Sequence, residues 1–119
     1  LFASSNVRWV GKLAEEQSLI ARKKLFRPKD YLRRAGAYYR YGNLDKSLAD
    51  LEEAERIAPS DADALYALAT VQAKQGKGDR ALSTLRRAFD CGWGHPEYTR
   101  EDPDFASIKE RPEFLKLVE

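Results

Sequence analysis

The chain has 119 residues, 43% of them hydrophobic and 34% charged, with a net charge of +2. That length supports one domain that buries about two-thirds of its unfolded surface. A single cysteine excludes an internal disulfide framework and suits a reducing compartment, and no apolar run approaches the ~18 residues of a membrane span. No signal-peptide pattern opens at Leu1, and the absence of any methionine leads to the expectation of a processed product, a fragment or only the ordered part of a longer protein. Charge is uneven along the chain. Residues 1–40 hold ten Lys/Arg against three acids, and residues 41–119 hold eleven against sixteen. An excess of cations at one end suits an acidic partner there.

In chain order, Ser5 or Asn6 can cap a lead helix that runs to about Lys24, with Val7, Val10, Ala14, Gln17 and Ala21 along one face and Trp9, Leu13 and Ile20 broadening it. Arg22, Lys23, Lys24 and Arg27 then form a basic hinge around Phe26, and Pro28 opens the next helix, where its missing N–H costs nothing. The stripe Tyr31, Ala35, Tyr38 and Tyr39 recurs at helical spacing and stops at Gly42-Asn43. Leu44, Leu48, Leu51 and Ala54 make a second stripe that Pro59 ends.

A shift of 34 residues brings this pair of stripes onto a second copy without a gap. Tyr31 meets Leu65, Ala35 meets Ala69, Gly42 meets Gly76, Leu48 meets Leu82 and Leu51 meets Leu85. A fixed offset of that size, with small, apolar and Gly places preserved, is the period of a helix-turn-helix repeat. Helices are therefore expected over 28–41, 44–57, 62–75 and 78–90, with Asp61 as the N-cap of the third. The chain divides into a lead helix and hinge (1–27), two repeats (28–61 and 62–92) and a closing segment (93–119).

Residues 90–96 read as a turn-rich connector. Asp102 with Pro103 marks one helix start and Pro112 another. Phe105, Ile108, Phe114, Leu115 and Val118 are expected to dock this tail on the last repeat as a cap, because an uncovered terminal face aggregates. No strand signal occurs, so the fold class is all-α: an α-solenoid of helical hairpins.

Catalytic and metal chemistry find little to work with. Cys91 and His95 are the sole cysteine and histidine, whereas a structural zinc takes four such ligands. Nucleophilic pairs are limited to one candidate base. Gly76-Lys77-Gly78-Asp79 is a turn and not a phosphate loop, since no strand precedes it. The carboxylate pairs Glu52/Glu53 and Asp102/Asp104 sit where helix faces and caps place acids anyway. The expectation is a non-enzyme with no cofactor, no metal and no small-molecule substrate, soluble inside the cell, in cytoplasm or an organelle matrix or stroma.

These residues resemble tetratricopeptide repeats, whose pattern runs W-x2-L-G-x2-Y, then A-x3-F, then P. The first copy answers with Tyr31, Arg34, Ala35, Tyr38, Ser47, Leu51 and Pro59, and the second with Leu65, Leu68, Ala69, Gln72, Ala81 and Leu85. Arg34 replaces an apolar residue and Gln72 an aromatic, which weakens the expected packing there. Trp93 stands where the closing Pro would fall, as at the end of an array. The resemblance implies a protein–protein interaction module serving as adaptor, scaffold or assembly factor, with the first helix of each pair lining a concave groove. That face offers Lys29, Leu32, Arg33, Gly36, Tyr39 and Arg40 from the first repeat, and Asp63, Tyr66, Ala67, Thr70, Ala73 and Lys74 from the second. The expected groove residues are Lys29, Leu32, Arg33, Tyr39, Arg40, Tyr66, Thr70 and Lys74, suited to an acidic or C-terminal carboxylate segment. Lys29 and Arg33 resemble half of a carboxylate clamp, but Gly36 and Ala67 stand where its asparagines would be. A rival reading assigns the basic patch Arg22, Lys23, Lys24 and Arg27 to nucleic acid or an anionic surface, with neighbouring aromatics for stacking.

Overall fold

A computed structural model describes residues 27–119; the expected lead helix, with Arg22, Lys23 and Lys24 at its end, lies outside the described residues. Of the described residues 73% are helical and none is in a strand, which gives the all-α repeat architecture expected. Helix α1 (Pro28–Arg40) begins after an extended Arg27 at φ −101° and ψ 142°, the conformation that a following proline imposes. The Arg27 guanidinium bonds Asp30 one turn on, at 2.9 and 3.1 Å. Helix α2 (Leu44–Ile57) is capped by the Asn43 side chain, which accepts from the Lys46 N–H at 3.2 Å. Asp61 caps α3 (Ala62–Lys74) as its type and place predict, accepting from the N–H groups of Asp63 and Ala64. Helix α4 (Gly78–Asp90) completes the second hairpin.

The hairpin turns repeat with the sequence. Gly42 N–H bonds the Tyr39 carbonyl while Asn43 N–H reaches back to Tyr38; Gly76 and Lys77 do the same with Ala73 and Gln72. This double closure needs a left-handed residue after the helix, and Gly42 and Gly76 supply it at φ 80° and 81°.

Helices α1 and α2 pack together, as do α3 and α4, while α2 and α1 both contact α3. Ala35, Leu51, Leu68 and Val71 form the seam between repeats, each at most 2% exposed. Arg34, expected to weaken the first hairpin, instead ties it together. Its guanidinium grips Asp50 of α2 through two bonds, at 2.7 and 2.6 Å, and lies near the rings of Tyr31 and Tyr38. Gln72 is buried, and its side-chain oxygen has no hydrogen-bond partner among the described residues.

The closing segment departs from expectation in three places. A short helix α5 (Pro96–Glu101) follows directly on the connector residues, where no helix was expected. Asp102 does cap the next element, accepting from the Asp104 N–H at 3.0 Å, but that element is a single 3-10 turn, Pro103–Phe105. Helix α6 (Pro112–Leu117) follows, with Leu115 51% exposed rather than docked. Phe114, Leu117 and Val118 sit at positions i, i+3 and i+4 and take the inward face, which leaves Leu115 on the other. Phe105, Ile108, Phe114 and Val118 share one cluster with Leu82 and Leu85 of α4.

Candidate partner-binding groove

Because α1 and α3 carry small residues where they face each other, they leave a cavity between them of about 270 Å³. Leu32, Gly36, Tyr39 and Arg40 line it from α1, Ala67 and Thr70 from α3, and Ala35, Ser47 and Leu51 also contribute to the wall. The wall hydroxyls are used internally: Ser47 donates to the Ala35 carbonyl at 2.8 Å and Thr70 to the Ala67 carbonyl at 2.6 Å. What remains is mostly apolar surface.

The two charged groups in the lining are Arg40 and Asp104. Arg40 folds back toward its own helix start, and its Nη1 lies 3.5 Å from where a Gly36 Cβ would stand. Lys29 and Arg33 lie further along α1, both exposed. None of Lys29, Arg33 and Arg40 forms an ion pair with a described residue.

Asp104 arrives from the closing segment, 65 residues along the chain from Tyr39, and accepts the Tyr39 hydroxyl. Burial first, and then that carboxylate, push the Tyr39 phenol well above its ordinary pKa. Tyr66 is held similarly: its hydroxyl donates to Asp102 at 2.6 Å, and burial with this bond raises its phenol further. The Tyr66 ring stacks on Trp93 at 3.9 Å with an interplanar angle of 13°, and meets Phe105 edge-on at 5.6 Å. Trp93 Nε1 in turn donates to Thr99 Oγ1.

The expected groove residues therefore separate. Leu32, Tyr39, Arg40 and Thr70 meet in one cavity, with Lys29 and Arg33 exposed on α1 beyond its lining. Tyr66 is 7% exposed and belongs to the core, a correction forced by the closing segment folding back over α3. Lys74 is exposed at the end of α3, outside the cavity lining. Arg27 of the basic patch is engaged by Asp30, and Arg22, Lys23 and Lys24 lie outside the described residues. Asp104 was missed because nothing local in the sequence brings it to Tyr39. Read there as a pair with Asp102, it instead carries a groove contact while Asp102 does the capping.

Among the described residues no group of three or more His, Cys, Asp or Glu could hold a metal ion. No helix among them is long and apolar enough to cross a membrane. A family model described as TPR repeat matches residues 36–76, from the middle of α1 to the turn after α3. No curated protein and no solved structure matches the chain. Tetratricopeptide repeats are typically non-catalytic and generally bind other proteins. Two hairpins offset by 34 residues, matching glycine closures and a repeat model spanning their junction together support a tetratricopeptide-repeat protein.

Proposed function

We propose that the chain is an adaptor or assembly factor that holds a segment of a partner protein in the cavity between α1 and α3. The observation that carries this reading is an apolar cavity beside three exposed cations, Lys29, Arg33 and Arg40, that form no ion pair with a described residue. Apolar walls give the partner's side chains somewhere to leave water, and the cations select an acidic segment and steer its approach.

The test is affinity capture with crosslinking from native extract, comparing the parent chain with Arg33→Glu/Arg40→Glu. Both residues are exposed, so the reversal is expected to alter stability by less than about 0.5 kcal/mol each. Partners that crosslink to α1 should be lost from the variant while its melting temperature holds. Unchanged capture would move the binding site off this face.

The rival reading, nucleic acid or an anionic surface on Arg22, Lys23, Lys24 and Arg27, has one described cation, and Asp30 already occupies it. Salt titration separates the two. Binding through phosphate contacts weakens steeply, with a slope near the number of ion pairs, whereas docking on apolar surface responds little.

A further inference from the structure

The proposed groove has an electrical direction. Its lining charges are the Arg40 guanidinium, folded back over Gly36, and the Asp104 carboxylate, beside Tyr39. Arg33 and Lys29 extend the positive side along α1. Asp102, which also acts on the Tyr39 phenol, extends the negative side. Asp63 and Lys74, charged residues near the two ends of α3, stand outside the lining.

Tyr66 and Phe105 are buried where the closing segment meets α3, and Asp104, next to Phe105, brings the closing segment into the cavity lining. A partner segment thus meets a carboxylate on the closing-segment wall and cations along α1. From Arg33 to Tyr39 is six helical residues, an axial rise of about 9 Å. That matches roughly three residues of an extended chain.

We infer that the occupant is an extended internal segment of a partner protein, bearing an acidic residue that meets Arg33 and Arg40 and, about three residues away, a lysine that meets Asp104. A free C-terminal carboxylate beside Asp104 would be repelled. This inference rests on the groove reading above and adds to it the polarity of the partner.

The probes are two blocked hexapeptides of equal length, differing at one end. One carries two glutamates, a short apolar linker and a terminal lysine; the other replaces the lysine with glutamate. Each is titrated into the isotope-labelled chain and followed by amide NMR shifts. The glutamate–lysine peptide should shift Gly36, Tyr39 and Thr70 and bind about tenfold more tightly than the all-acidic one. Asp104→Asn keeps an acceptor for the Tyr39 hydroxyl while removing the charge, and should shrink that preference to about twofold or less. Its thermal unfolding serves as the check that it folds. An all-acidic peptide that binds these residues as well as its partner probe, or a preference untouched by Asp104→Asn, overturns the polarity while leaving the groove reading in place. Failure of both peptides to shift these residues overturns the groove reading and the polarity with it.

Discussion

Removing Arg34 tests the physics of the first hairpin most directly. Its side chain is 19% exposed and that of Asp50 is 7%, and the two meet through paired N–H···O bonds at 2.7 and 2.6 Å. Arg34→Leu copies the register-equivalent Leu68 of the second repeat but strands the Asp50 carboxylate. Losing one partner of a buried ion pair costs about 3–5 kcal/mol; the residual exposure of Arg34 lowers the expectation to about 2–4 kcal/mol. With a urea m-value of about 1–3 kcal/mol/M, the unfolding midpoint should fall by roughly 1–2 M. Arg34→Leu/Asp50→Thr converts the pair wholly to the Leu68 and Thr84 of the other repeat. Replacing a buried ion pair by packed neutral residues is often neutral or stabilising, so the double variant should recover to within about 0.5 M of the parent. Urea unfolding followed by far-ultraviolet circular dichroism measures all of these, and the double-mutant cycle isolates the coupling. A single variant as stable as the parent, or a double variant whose loss is the sum of the two singles, would refute the claim that this pair clamps α1 to α2.

Truncation after Cys91 strips Phe105, Ile108, Phe114 and Val118 from the cluster they share with α4. At about 1.5–3 kcal/mol for burying each such side chain, the loss approaches a small domain's whole ~5–15 kcal/mol, so the product should be insoluble or unfolded. The milder Phe105→Ala should cost about 3–5 kcal/mol in urea unfolding, since the ring is fully buried; a soluble truncation with the parent's melting temperature would show the tail to be dispensable. In ultraviolet titration of the six tyrosines, Tyr39 and Tyr66 should stay protonated above the ordinary 10.0. A phenol whose pKa is raised on folding contributes fully below the unfolded value and loses its contribution as pH climbs above it, so stability should hold to about pH 10 and then fall. Tyr66→Phe should flatten that alkaline loss, and six tyrosines titrating together near their ordinary value in the folded chain would contradict the buried hydroxyl contacts.

The repeat was legible in the sequence because its signals are local. Helical periodicity, glycine closures and the Asp61 cap act over a few residues, and the 34-residue offset only requires that they recur. The small residues Ala35, Gly36, Ala67 and Thr70 are visible in the sequence too, and they create the cavity. Short side chains leave room wherever their helices are placed side by side. The exposed cations of α1 follow from spacing alone, since Lys29, Arg33 and Arg40 lie four and seven residues apart, about one and two turns, along one helix.

Only the tertiary structure decided what the polar and aromatic departures do. Arg34 read as a flaw until Asp50, sixteen residues on, was placed beside it. Tyr66 read as a groove residue because its helical position faces the concave side, yet Trp93 stacks on it and Asp102 takes its hydroxyl. Leu115 read as docked because it is apolar, while the turn from Arg111 into α6 directed Phe114, Leu117 and Val118 inward instead. Asp104 reaches Tyr39 across 65 residues. Such contacts depend on where the closing segment crosses the repeats, a long-range placement set by packing Phe105 and Phe114 against the second hairpin, and no periodicity along the chain encodes it.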